Sequence, residues 1–98
     1  MKELDATLID IVQEYAMIRR GEHPKWTGDR ILNSETFAYR LGFDYPLDAP
    51  YYIQNLDDAK TEYVLLTGLP PRAIALMACA IKQGAREGLR QAKADGRT

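Results

Sequence analysis

The chain is short of the side chains on which much protein chemistry depends. It has one cysteine, one histidine and one tryptophan in 98 residues, and almost no net charge. A single cysteine, Cys79, leaves no internal disulfide and no thiolate metal site, so a reducing compartment is expected, with the cytoplasm as the default. The longest apolar run, AIALMACAI at 73–81, falls far short of the roughly 20 residues that cross a bilayer. The opening stretch MKELDATLIDIV carries acids at 3, 5 and 10 and lacks the uninterrupted apolar segment of a signal peptide. A net charge of −1 argues against both a strongly basic nucleic-acid binder and an acidic nucleic-acid mimic. Catalytic fingerprints are missing as well: no H-E-x-x-H, G-x-S-x-G, phosphate-binding loop or dinucleotide glycine pattern occurs. No cofactor, metal or membrane partner is expected.

Hydrophobic residues make up 46% of the chain and charged residues 28%, which is enough apolar material for one small core. The expectation is a single domain over 1–98 with a frayed tail at 95–98. Leu4, Leu8, Ile11, Tyr15 and Ile18 recur at threes and fours, which predicts a helix from about Lys2 to Arg20. Arg19 and Arg20 suit its C-terminal dipole, Gly21 suits its end, and Pro24 prevents resumption. A second helix is predicted from Gly28, or from Ser34, to Leu41, capped by Thr27, Asn33 or Ser34 and ended by Gly42.

Residues 43–55 hold two prolines among several aromatics, and each proline biases its predecessor away from helix. They read as a loop, with an extended piece at Tyr51–Gln54. A third helix capped by Asn55 or Asp57 is expected to reach Thr67, with Gly68 closing it. Leu69-Pro70-Pro71 then starts a last helix running to about Ala94. The fold class is therefore all-α: about four helices, with an aromatic, proline-containing loop between the second and third. The first and last helices, the longest and most amphipathic, are expected to pack on each other.

Three patterns carry functional readings. Ala38 and Gly42, flanked by Phe37 and Leu41, resemble the first half of a helix-turn-helix at 34–45. The next segment, DYPLDAPYYIQN, has two prolines, two aspartates and no basic residue, which is poor material for reading bases. The second pattern is the loop itself: Asp44, Tyr45, Asp48, Tyr51 and Tyr52 combine rigid contact area with a negative rim and suit a protein-binding surface.

The third lies in the last helix. Lys82, Arg86, Arg90, Lys93 and Arg97 fall within an arc of about 80°. This basic stripe suits an acidic protein groove or a phosphate backbone; the plain alternative is a solvated helix face. Ala80, Gly84 and Gly88, spaced by four, suggest a close helix contact, either with the first helix or across a homodimer. His23 reads as a solvated loop histidine beside Glu22, and a small enzyme built on it is the weakest alternative. Cys79 reads as a small buried hydrophobe.

Together these features point to a non-enzymatic protein–protein interaction module, a small regulator or inhibitor of a larger machine. Its size and style resemble the accessory factors that phages and mobile elements encode. The alternative is nucleic-acid binding through the basic stripe.

Overall fold

A computed structural model describes residues 5–96. The chain is all-helical: α1 is Ala6–Arg20, α2 Arg30–Asp44, α3 Ala49–Asp58, α4 Lys60–Thr67 and α5 Pro71–Ala94. The expected all-α class holds, and the five helices among the described residues are roughly consistent with the expected bundle of about four.

The ends of α1 follow from local chemistry. Asp5 accepts the Leu8 N–H at 3.1 Å and starts the helix, so its apolar face begins at Leu8, while Leu4 lies outside the described residues. At the other end Gly21 takes φ +76°, and the Gly21 and Glu22 N–H groups close on the Ile18 and Met17 carbonyls. Helix α2 is capped by Asp29, whose carboxylate accepts from both Ile31 and Leu32, and not by Thr27, Asn33 or Ser34.

The largest correction concerns 43–55. Gly42 does not end α2, which runs on to Asp44, and the supposed loop shrinks to a turn over 45–48. Tyr51–Gln54 is helical, inside α3. Pro50 is accommodated because it occupies the first turn, where its missing N–H has no intrahelical partner to lose. Pro46 is the proline that interrupts the chain. Neither Asn55 nor Asp57 caps a helix. Asn55 donates to the Tyr51 carbonyl within α3, and the break comes at Ala59, whose backbone still bonds to Asn55 on one side and Tyr63 on the other. Gly68 closes α4 at φ +73°, and the chain turns through 116° into α5.

The expected pairing of first and last helices is also replaced. Helix α5 lies chiefly along α2, with α3 and α4 beside it, and α1 packs on α2, α3 and α4. The reason is steric. A Cβ on Gly84 would stand against the Tyr39 carbonyl, one on Gly88 against that of Phe43, and one on Gly42 against that of Ile81, all far inside contact distance. Contacts four residues apart on both helices in the same sense make α2 and α5 parallel. Only α2 offers α5 a matching row, Ala38 and Gly42, so only there can two backbones touch. The α-hydrogens of the glycines then face carbonyl oxygens, a weak but repeated attraction.

The core fills the wedge between these helices. Leu8, Val12 and Tyr15 come from α1, Leu56 from α3, Tyr63 from α4, and Ile74, Met77 and Ile81 from α5, all fully or almost fully buried. The chain measures 42 × 36 × 20 Å. Its thinnest dimension is about two helix diameters, so each helix of this two-layer slab keeps one side toward solvent.

Candidate functional site

The outward side of α5 follows from that packing. With Gly84 and Gly88 turned into α2, the opposite face is centred on Cys79. At 100° per residue, an arc of about 120° there gathers Arg72, Ala75, Leu76, Cys79, Lys82, Gln83, Arg86, Arg90 and Lys93. It contains five cations and no acid. Lys82, Arg86, Arg90 and Lys93 are all exposed, as the stripe requires, and Arg97 lies outside the described residues. Arg90 forms a two-pronged pair with Glu87, which holds the Glu87 carboxyl below its ordinary range and raises the guanidinium. Lys82, Arg86 and Lys93 form no ion pair among the described residues.

Two grooves flank this face and meet at Cys79. One, between α3 and α5, has a volume of about 320 Å³ and a floor of Ile53, Leu56, Ile74 and Ala78, with Asp57, Lys60 and Lys82 on its rim. The other, between α2 and α5, has about 370 Å³ and is lined by Leu32, Tyr39, Leu76 and Ala80 together with the polar Glu35, Thr36 and Gln83. Cys79 is exposed, not buried as its alanine-rich neighbourhood suggests, because the small residues around it line the outer face. The suggested dimer face is not available as one. Gly84 and Gly88 are consumed by α2, and Ala80 is half-buried beside them in the α2–α5 groove.

The aromatic–acidic set is divided by the extra helix. Asp48, Tyr51 and Tyr52 gather around a shallow hollow of about 240 Å³ together with Asp5 and Thr7 from the start of α1. The Tyr51 hydroxyl donates to Asp5 at 2.8 Å, and the two tyrosine rings meet edge to face. That hydrogen bond is the main reason the Asp5 carboxyl lies below its usual range, helped by the Leu8 N–H; it likewise raises the Tyr51 phenol. Tyr52 is half-buried against the core, and burial first, then the Asp48 charge, raises its phenol. Asp44 and Tyr45 do not line that hollow: Asp44 pairs with Arg40 at 3.0 Å, and Tyr45 is exposed at the end of α2, its carbonyl accepting the Asp48 N–H. The part played by Asp5 has no local signal in the sequence, since its partner is 46 residues away.

The helix-turn-helix reading meets a different geometry from the one its spacing suggests. Gly42 lies within α2 against α5, not in the turn. The second helix does exist, but α3 (APYYIQNLDD) carries no basic residue.

His23 is 8% exposed rather than solvated. Its Nδ1 accepts the backbone N–H groups of Lys25 and Trp26 at 3.1 and 3.2 Å, so Nε2 carries the proton and donates to Glu14 at 2.9 Å. Glu22, the neighbour in sequence, pairs with Arg20 instead. With both ring nitrogens engaged, the imidazole organises the 23–26 turn and has no lone pair left for a substrate. Among the described residues no three of His, Cys, Asp and Glu stand together as a metal set, and no single helix is long and apolar enough to cross a membrane.

No protein-family model, curated protein or solved structure matches the chain.

Proposed function

We propose that the chain is a non-enzymatic interaction module that binds a protein partner through the outer face of α5, acting as a small regulator or inhibitor of a larger assembly. One observation carries this reading: on that face Lys82, Arg86 and Lys93, which form no ion pair among the described residues, adjoin two largely apolar grooves. Cations alone would suit any polyanion. Apolar grooves beside them favour a protein, whose side chains gain by leaving water, over a phosphate backbone, which does not. The Tyr51–Asp5 hollow is a second polar surface on the far side of α3 and would extend the footprint.

Affinity capture of the tagged chain from its source cells, with and without nuclease, tests the reading. A stoichiometric protein that survives nuclease and is lost from the Lys82→Glu/Arg86→Glu/Lys93→Glu variant is the expected outcome. Loss of all partners on nuclease treatment would instead establish the alternative, nucleic-acid binding by the stripe. In that case affinity should also fall steeply with salt, at a slope set by the number of phosphates neutralised.

A further inference from the structure

The α3–α5 groove has a shape and a charge that narrow the class of partner, given that the outer face of α5 binds protein. Its floor adjoins the core, where Leu56 and Ile74 are almost wholly buried, and on the α5 side the small Ala75, Ala78 and Cys79 line it with Lys82 at the rim. The groove is a partly open surface depression rather than an enclosed cavity, which suits side chains presented by a partner better than an engulfed small molecule. Its volume of about 320 Å³ sits at the lower limit of ligand clefts. That leaves room for a pair of apolar side chains one helical turn apart. Lys60 stands on the α4 side of the rim and Lys82 on the α5 side, with Arg86 one turn farther along α5. Asp57 is the single acid on that rim.

We infer that this groove receives an acidic amphipathic helix from the partner. Its apolar side chains at i and i+4 enter between α3 and α5, and carboxylates beside them pair with Lys60, Lys82 and Arg86. A nucleic acid would leave the apolar floor unused and bring phosphates against Asp57. A second copy that met this one α5 to α5 would bring like charges together.

The test uses the full chain and a fluorescein-labelled synthetic peptide of about 18 residues, long enough to hold helix. The peptide carries leucines along one face and glutamates elsewhere, and a twin replaces every glutamate by lysine. Fluorescence anisotropy should show saturable binding of the glutamate peptide, at least about tenfold tighter than its twin, a difference of about 1.4 kcal/mol. Ala78→Arg, which fills the groove, and Lys82→Glu, which leaves its floor intact, should each weaken binding by about tenfold or more. Lys82 is exposed, so its variant keeps the comparison alive even if Ala78→Arg folds poorly.

Equal affinity for the two peptides, or no saturation by about 1 mM, overturns the inference. So does displacement of the peptide by duplex DNA, or a doubling of the chain's mass in sedimentation that is abolished by Ala78→Arg. Capture of the cellular partner separates this inference from the broader reading. If the partner is lost with Lys82→Glu/Arg86→Glu but kept with a folded Ala78→Arg, the α5 face binds protein and the groove does not receive it.

Discussion

At the scale of single residues, two side chains have roles that their positions in the sequence conceal. His23 holds a turn: its ring, itself 8% exposed, accepts two backbone N–H groups and donates to Glu14. Replacing it by alanine removes the acceptor of two N–H groups, one of them on exposed Lys25, which should cost about 1 kcal/mol of stability by urea unfolding. His23→Asn places an oxygen near Nδ1 and should recover much of that loss. His23→Gln, which reaches only the Glu14 side, should recover less. An equal loss in all three variants would show that the ring acts by packing alone. The Asp5–Tyr51 bond is a second device, joining the start of α1 to α3. Asp5 titrates below its ordinary value in the fold, so its contribution is full above the unfolded carboxylate range and fades as pH falls through the lowered value. Tyr51 titrates above its ordinary value, so its contribution is full below about pH 10 and fades as pH rises through the raised one. Tyr51→Phe should therefore lower Tm most near neutrality and converge with the parent at both extremes. A constant offset across pH would mean that the hydroxyl's partner is not a titrating group.

At the scale of elements, the decisive contact is the parallel α2–α5 pair. Gly84→Ala should gain up to about 1 kcal/mol in helix propensity and lose more than that, because the new methyl meets the rigid Tyr39 carbonyl. A net destabilisation of about 2 kcal/mol or more is expected, with unchanged mass in sedimentation, since the glycines serve an internal seam. Gly42→Ala should cost a similar amount, and the double variant less than the sum, because helices already pushed apart have room for the second methyl. Strict additivity would mean that the two positions relax independently. The same contact explains what is legible in the sequence. Helix ends set by local chemistry are readable: the Arg-Arg-Gly close of α1, Gly68, and Pro71 opening α5. The small-residue spacing of Gly84 and Gly88 announces a close approach but not its partner, because pairing depends on which other helix has a matching row. Ala38 and Gly42 are that row, and their spacing is equally that of a helix-turn-helix start. Helix α3 stays hidden because a proline reads as a breaker unless its place in the first turn is known, and Pro50 holds that place because the turn over 45–48, which contains Pro46, ends just before α3.

At the scale of the whole molecule, a slab 20 Å thick has too little interior to hide any long helix on both sides, so α5 must show a face to water. On that face the sequence concentrates charge of one sign: α5 carries five basic residues and one acid, while the chain as a whole has a net charge of −1. The remainder of the molecule is correspondingly acidic, most visibly along α3 and the start of α1. Averages such as net charge hide this in the sequence. The stripe is readable by its spacing, and the grooves that give it meaning are not, since they form between segments far apart in the chain. Segregation of this kind has a consequence that needs no partner to observe. A protein of net charge −1 at pH 7 should pass through a sulfonate cation exchanger, yet a coherent cationic face on one side can anchor to the resin at low ionic strength. The parent chain should be retained there and elute as salt shortens the screening length. Lys82→Glu/Arg86→Glu should flow through, while Lys25→Glu/Arg30→Glu, which changes net charge by the same amount away from α5, should still bind. If both doubles lose retention equally, average charge governs and the α5 face is not a distinct electrostatic surface. If only the α5 double does, the face is a preformed anion-seeking surface, and the grooves beside it decide which anionic partners it keeps.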